Sequence, residues 1–299
     1  MNAKKKPAQC HASRRLRLSI AIATMLAILP GFARAVLHDP YVGANIATNG
    51  IVGQWVTQPN GPYILSLTGY QDRTAGVWSD YGMNKAGAWI TDVKPATAGY
   101  WGGYVIAQSR WEDKLTVYTP DAALDAWVHL LFSVRLDGHL AAYEDDFFSS
   151  RAIVNYGMSL NHDGSWVTRP SYGKAIAPTP NSTAGGYVEA DVAEILFGEI
   201  AIRNGHTFNL ISTLSVNPES EAMGPPGVGW AESSFGNSAE WLGGSVWVDG
   251  AEASSFTITS ASGYNYGPRN PHNDVPEPAS LALLGIGLVT LRFRYRHSV

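Results

Sequence analysis

The sequence predicts an all-β protein: an antiparallel, jelly-roll-like β-sandwich between one apolar segment at each end of the chain. Its 31 glycines and 10 tryptophans accompany many Tyr, Val and Thr residues, a composition typical of strands joined by turns. Long stretches of helical periodicity are few between the two ends. About 240 residues lie there, which is enough for one large β-domain or two small ones.

Residues 1–35 have the three parts of a secretory signal peptide, which predicts an N-terminal signal helix. An apolar stretch at residues 18–29 precedes Ala33 and Ala35, which form an A-x-A site with cleavage expected after Ala35. The cationic region before it holds Lys4, Lys5, Lys6, Arg14, Arg15 and Arg17. The predicted partners are the Sec translocon and signal peptidase, and an uncleaved membrane anchor is the alternative.

The exported β-sandwich domain is predicted at residues 36–263. Short aromatic strands are expected in its first part, at residues 51–56, 63–67, 76–79, 88–93, 100–108 and 115–119. Thr119 and Pro120 have the residue types of a helix N-cap and first helical position, which predicts one short helix ending near Trp127.

Alternation of apolar and more polar side chains is strongest at residues 127–136, which predicts a strand with one face in the core. Asp137-Gly138 then predicts a hairpin turn into a strand at 139–144. A second strong hairpin is expected across Asn204-Gly205. The remaining strands are expected at residues 151–160, 166–168, 187–202, 206–216, 241–247 and 256–258.

Two proline- and glycine-bearing segments divide the chain. Residues 175–186 are either an interdomain linker or a loop within one sandwich, and we favour the loop because the strands on both sides have the same character. Residues 264–274 are polar, which predicts a stalk outside the domain.

The last 25 residues combine three features in a fixed order. An extended, accessible tetrapeptide is expected first, because its two prolines fix φ and remove backbone donors; it consists of Val275, Pro276, Glu277 and Pro278. Residues 279–291 carry no charge and predict a short transmembrane helix. Arg292, Arg294 and Arg296 in the basic tail 292–299 then act as a positive membrane stop.

This order resembles the PEP-CTERM sorting signal of Gram-negative bacteria that produce exopolysaccharide. The resemblance covers residues 275–299, and residues 234–263 are similar to a loose β-sandwich pattern of such proteins. It implies an exosortase as partner, processing near Pro276–Pro278, transient residence in the inner membrane and final delivery to the cell surface or extracellular matrix.

Charge and cysteine usage exclude several functions. Of the 21 Lys and Arg residues, seven precede residue 36 and three lie in the tail, so 11 remain between residues 36 and 274. The same range holds 24 Asp and Glu residues, which gives it a net charge of −13. A domain this acidic repels polyanions. We therefore expect no nucleic-acid partner. Cys10 lies in the signal peptide, which excludes disulfides, thiol catalysis and cysteine metal sites in the mature chain.

Tryptophan and tyrosine faces stack on the apolar faces of sugar rings, so exposed aromatic residues would make a glycan platform. The alternative for each of these aromatic side chains is burial in the hydrophobic core. The glycan-stacking candidates lie near glycines; they are Trp78, Tyr81, Trp89, Tyr100, Trp101 and Tyr104.

Metal and catalytic signals are weak. Glu144, Asp145 and Asp146 offer clustered oxygens, so calcium is the one cofactor left open, although a solvated acidic turn is the favoured interpretation. Transition-metal, nucleotide and nucleophile-elbow motifs are missing. Glu189 and Asp191 share one side of a strand, as a glycosidase pair would.

The favoured function is that of a non-catalytic surface or matrix protein that associates with exopolysaccharide. The alternatives are a glycan-active hydrolase or lyase and a purely structural surface protein.

Overall fold

The protein is seen in a computed structural model that describes residues 41–48, 55–59, 62–70, 73–94, 100–145, 148–162, 165–178, 185–223 and 227–268. Regular structure within these ranges consists of antiparallel strands alone, which confirms the all-β prediction. No helix in the described residues is long and apolar enough to cross a membrane. The signal peptide, residues 269–274 of the stalk and the C-terminal signal lie outside the described residues.

The strands are β1 (Tyr41–Thr48), β2 (Val56–Gln58), β3 (Tyr63–Tyr70), β4 (Arg73–Asp80), β5 (Met83–Lys94), β6 (Tyr100–Tyr118), β7 (Trp127–Glu144), β8 (Phe148–His162), β9 (Ser165–Ile176), β10 (Gly186–Arg203), β11 (Thr207–Val216), β12 (Glu219–Met223), β13 (Gly227–Val248), β14 (Ala251–Glu252) and β15 (Thr257–Ser260).

The strands form two sheets. In sheet 1, β11 and β12 lie end to end between β6 and β8; β9 pairs with the other side of β8, and β1 and β15 pair with the other side of β6. The register continues unchanged from β11 into β12, although Pro218 between them has no N–H to donate. Sheet 2 has the order β10-β7-β13-β5-β4-β3, with β14 beside β13.

The connections define a jelly roll. Strands β5-β13-β7-β10 face β6-β11/β12-β8-β9, and the chain changes sheets at every step except at the β8–β9 hairpin. This is the double Greek-key order of that architecture, in which two sheets bury one core. Strand β9 belongs to sheet 1 and β10 to sheet 2, so the chain passes from one sheet to the other between them.

The first residues of the predicted stalk belong to the domain, which corrects its boundary. Tyr266 is fully buried, and its ring centroid lies 5.6 Å from that of Trp111 on sheet 1 and 5.3 Å from that of Trp241 on sheet 2. Tyr264 packs over the β4–β5 turn at Gly82, where φ is +76° and a Cβ would meet the phenol at 2.1 Å. Polar composition predicted a stalk here, but alternate tyrosines fill the space between the sheets.

The predicted helix after Thr119 is wrong, because residues 119–126 form turns. Asn204 organises them: its Nδ2 donates to the carbonyls of Thr119, Ala122 and Ala123, at 2.9, 2.8 and 3.1 Å, and its Oδ1 accepts from the Thr119 N–H at 2.9 Å. A buried side chain therefore supplies the bonds that a helix would have made within its own backbone.

Two predicted hairpins are also wrong. Asp137-Gly138 lies inside the continuous strand β7, where the absent side chain of Gly138 makes room for the Phe235 ring. The turn at Asn204-Gly205 connects β10 in sheet 2 to β11 in sheet 1 instead of pairing them. Both dipeptides have turn-forming chemistry. The sequence did not show that Gly138 makes room for a buried ring, or that Asn204-Gly205 leads from one sheet to the other.

A chain of buried hydrogen bonds joins the two sheets. The Asn84 Nδ2 of β5 donates to the Ser212 hydroxyl of β11 at 2.8 Å, and Ser212 donates to the Tyr156 hydroxyl of β8 at 3.1 Å. The Ser79 hydroxyl of β4 donates to the Arg110 carbonyl of β6 at 2.6 Å. Satisfied polar groups of this kind fix how the two sheets align.

Candidate functional site

The outer face of sheet 2 carries a row of three aromatic side chains. Tyr187 of β10, Tyr143 of β7 and Trp230 of β13 are cross-strand neighbours. The Tyr143 and Trp230 rings lie 6.3 Å apart with their planes 21° apart, and the Tyr187 and Trp230 rings lie 5.9 Å apart. Tyr187 is 56% exposed. We call these three side chains the aromatic row.

Carboxylates border the aromatic row. Glu232 follows Trp230 by two residues on the same face of β13, and its cross-strand neighbour on β5 is Trp89. On β10, Glu189 accepts a hydrogen bond from the Tyr187 hydroxyl. The arrangement combines flat apolar rings with hydrogen-bond acceptors, which suits a ligand that has apolar faces and hydroxyl edges.

The predicted glycan-stacking residues do not form one surface. Trp78 and Trp89 lie on the outer face of sheet 2, next to buried neighbours in β4 and β5, whereas Tyr104 belongs to β6 in sheet 1. Tyr81 is 8% exposed and donates its hydroxyl to the Pro59 carbonyl at 2.7 Å, so it packs in the core instead of facing solvent. Tyr100 and Trp101 are placed in β6 by their backbone, and their side chains lie outside the described part.

The residues predicted as calcium ligands do not converge on one site, because their carboxylates contact different backbone N–H groups. Glu144 is 6% exposed and accepts the Ser150 N–H at 3.2 Å, while the Asp145 carboxylate accepts the Val228 N–H. Burial raises the pKa of Glu144; the Ser150 hydrogen bond opposes this, and the charge of Asp145 adds to it. Asp146 lies outside the described residues. Across the described ranges, no group of three or more His, Cys, Asp or Glu residues could hold a metal ion.

Two histidine–carboxylate pairs join β10 to its neighbour β7. His139 Nδ1 lies 2.8 Å from Asp191 Oδ1, and His129 Nδ1 lies 2.7 Å from Glu199 Oε1. Glu189 and Asp191 share the outer side of β10, as the period of two predicts. They lie on an open sheet face, where each already has a partner.

The sequence did not single out the aromatic row. Tyr143, Tyr187 and Trp230 are far apart in the chain, and only the pairing of β7 with both β10 and β13 brings them together. The available signal was the alternation of side chains along the strand. Because Ala231 is buried, the Trp230 side chain before it lies on the opposite face of the sheet.

Comparison with known proteins gives one match. Residues 274–296 match the family model of the PEP-CTERM protein-sorting motif, which confirms the resemblance inferred from the tail. The motif marks exported proteins of Gram-negative bacteria that an exosortase processes. No curated protein matches the chain. No solved structure matches it either.

Proposed function

We propose that this chain, whose C-terminal PEP-CTERM motif assigns it to exosortase sorting, is a non-catalytic surface or matrix protein that associates with exopolysaccharide. Residues 1–35 act as a Sec signal peptide, and residues 279–291 hold the chain in the inner membrane until the exosortase acts. The processed protein then resides at the cell surface or in the extracellular matrix. The sorting motif supports the proposed export and processing, and the aromatic row supports the proposed association with exopolysaccharide.

The aromatic row is the observation that carries the binding role. Three rings lie side by side on this sheet face, and a ligand that stacks on them would remove their exposed apolar surface from water. Tyr187 is half exposed, and Trp230 and Tyr143 are partly so. Sugar rings offer matching flat apolar faces, and their hydroxyls find acceptors in Glu189 and Glu232.

Binding to purified exopolysaccharide tests this role. We expect the exported chain, purified in mild detergent, to co-sediment with exopolysaccharide, and Trp230→Ala to weaken binding about tenfold through the lost ring stacking. Trp247→Ala is the matched control, since Trp247 lies on the same face of β13 at its other end. Equal losses in both variants, or no binding by the unaltered chain, would remove the proposed role and favour a purely structural protein.

One observation favours a second candidate, a hydrolase with a serine nucleophile, which differs from a glycosidase or lyase that uses two carboxylates. Asp191, His139 and Ser234 are cross-strand neighbours in a single row, with the Asp191 carboxylate on Nδ1 of the imidazole as in a hydrolase triad. Against it, the Asp191 side chain is 88% exposed, and among the described residues Ser234 makes no hydrogen bond to His139. Covalent labelling by a fluorophosphonate probe that Ser234→Ala abolishes would establish a serine nucleophile; an unlabelled chain would exclude one.

A further inference from the structure

Glu232 lies between two tryptophans on the outer face of sheet 2. Trp230 precedes it by two residues on β13, so both side chains leave the same face of the strand. Trp89 of β5 is the cross-strand partner of Glu232 on one side, and Ala141 of β7 is its partner on the other. Glu232 is therefore a neighbour of one ring of the aromatic row and of a second indole outside that row.

A second carboxylate lies on the other side of Ala141. The cross-strand partners of Ala141 are Glu189 on β10 and Glu232 on β13, whose strand positions are two inter-strand spacings apart, roughly 10 Å. Ala141 is 2% exposed although it belongs to the outer face and lies outside the core cluster, so the side chains around it close over it. Two carboxylates thus flank one small covered residue next to the aromatic row.

These two carboxylates have no basic partner among the described residues. Glu189 accepts a hydrogen bond from the neutral Tyr187 hydroxyl, and Glu232 makes neither a hydrogen bond nor an ion pair in the described ranges. Three other carboxylates of this face are each paired with a histidine or arginine of the chain: Asp191 with His139, Glu199 with His129 and Glu240 with Arg135. The negative charge beside the aromatic row is therefore the part of this pattern that the chain itself does not neutralise.

The two indoles beside Glu232 also lack a cation from the chain. Elsewhere on this face, two tryptophans have such a cation over the ring: the Lys85 ammonium lies 5.4 Å from the Trp78 centroid, and the Arg203 guanidinium lies 4.0 Å from the Trp127 centroid. Within the part of the chain that the structure describes, neither Trp89 nor Trp230 has a contact of this kind. Indole faces attract cations more strongly than other side-chain rings do, and carboxylates pair with them.

We propose that this surface binds an exopolysaccharide whose amino sugars carry free, positively charged amino groups. Pyranose rings stack on Trp230 and the two tyrosines of the aromatic row, and the ammonium groups at the sugar edges pair with Glu232 and Glu189. The net charge of −13 between residues 36 and 274 attracts such a polymer over a longer range. The inference rests on the proposed function and deepens it, because it gives the charge class of the polymer. A lysine-rich peptide has the same charge, but three rings side by side favour the flat faces of sugars.

Probes that differ only in charge test the inference. We would titrate the full exported chain calorimetrically in mild detergent, in mildly acidic buffer where free amino groups are charged. Chitosan hexamer is the cationic probe, and chitin hexamer is its neutral match, since acetylation removes the charge and keeps the sugar backbone. Hexalysine tests for a peptide ligand. Glu232→Gln removes one charge at nearly constant shape. Glu199→Gln is the matched control, because it removes the same charge from the same sheet face, ten residues along β10 from Glu189.

The expected result is that chitosan hexamer binds at least about tenfold more tightly than chitin hexamer, and that added salt weakens its binding. Glu232→Gln should weaken chitosan binding about tenfold and leave the melting temperature unchanged, whereas Glu199→Gln should have no effect on either. The inference is overturned if chitin hexamer binds as tightly as chitosan hexamer, if hexalysine binds more tightly, if chitosan hexamer does not bind, or if folded Glu232→Gln binds it like the unaltered chain.

The same experiment separates this inference from the proposed function. If charge selection fails while the chain still binds purified exopolysaccharide and Trp230→Ala weakens that binding, the binding role remains and only the cationic polymer is excluded. If the unaltered chain does not bind exopolysaccharide, both are removed.

Discussion

The indole Nε1 of Trp241 donates a hydrogen bond of 3.1 Å to the Tyr266 carbonyl, and the two rings meet edge to face with their centroids 5.3 Å apart. The Trp241 N–H also donates to the Gly82 carbonyl at 2.8 Å. The segment after β15 is therefore held between the end of the β4–β5 hairpin and β13. It closes the sandwich at the place where β5 begins and β13 extends past it.

Removing the Tyr266 ring should destabilise the whole domain. We expect Tyr266→Ala to lower the free energy of unfolding by about 3–5 kcal/mol, the range for a fully buried aromatic side chain. Urea unfolding followed by tryptophan fluorescence measures it. A chain that ends at residue 263 should lose at least as much, and one that ends at Pro268 should not; equal stability of the two would contradict the role of this segment.

Gly138 and Gly87 should respond in opposite directions to the same substitution. A Cβ at Gly138 would lie 2.4 Å from the buried Phe235 ring, so Gly138→Ala should cost about 1–3 kcal/mol of stability. Gly87→Ala enters open space and should gain about 0.5–1 kcal/mol. Chemical denaturation of both variants decides the matter, and a loss at Gly87 would show that its surroundings are closed.

Asn204 should be essential to the loop at residues 119–126. Asn204→Ala leaves buried carbonyls and an N–H without partners, so we expect a loss of roughly 2–4 kcal/mol. Asn204→Asp keeps the acceptor for the Thr119 N–H but cannot donate to three carbonyls. If the carboxylate variant were as stable as the unaltered chain, the donor contacts would not matter.

Glu144 predicts a pH dependence of stability. Burial raises its pKa in the folded state above the unfolded value of about 4.3, so the folded chain binds more protons and stability falls as the pH rises through the folded pKa. Glu144→Gln keeps an acceptor for the Ser150 N–H and removes the ionisation. Its stability relative to the unaltered chain should therefore increase with pH above about 4 and then level off, in urea titrations at a series of pH values.

The sorting motif predicts a change of location. Replacing Pro276, Glu277 and Pro278 by alanines should trap the chain in the inner membrane, because the exosortase no longer finds its site. Immunoblots of membrane and released fractions measure this. Alanines at Pro271, His272 and Asn273 are the matched control and should leave release unchanged; equal release of both variants would argue against exosortase sorting.

Composition and alternation were sufficient to predict the fold class. The strands predicted at residues 127–136, 151–160, 187–202 and 206–216 overlap β7, β8, β10 and β11, since a half-buried strand must alternate. Strand β12 and residues 227–240 of β13 were not predicted. Pairing could not be predicted in the same way. Gly138 and Asn204 have turn chemistry, yet one accommodates Phe235 and the other bonds a loop that is distant in the chain. Such roles depend on contacts that local sequence does not encode.

The candidate site shows the same limit. Trp78 and Trp89 were identified as exposed aromatic residues from their glycine-rich surroundings, and both lie on the outer face of sheet 2. Tyr81 had the same local signal but packs in the core, because the turn at Tyr81 and Gly82 folds over the end of the sandwich. For Glu232 and Trp230 the only local signal was alternation with buried neighbours; their place beside the other rings follows from the register of β13.

The two strands in the middle of the sandwich come late in the chain. The line formed by β11 and β12 separates β6 from β8, and β13 separates β5 from β7. Neither layer can therefore be completed while the polypeptide is still emerging from a ribosome or a membrane pore, and slow, non-local pairing dominates assembly. The topology therefore delays completion of the fold until nearly all of the sandwich is available for pairing.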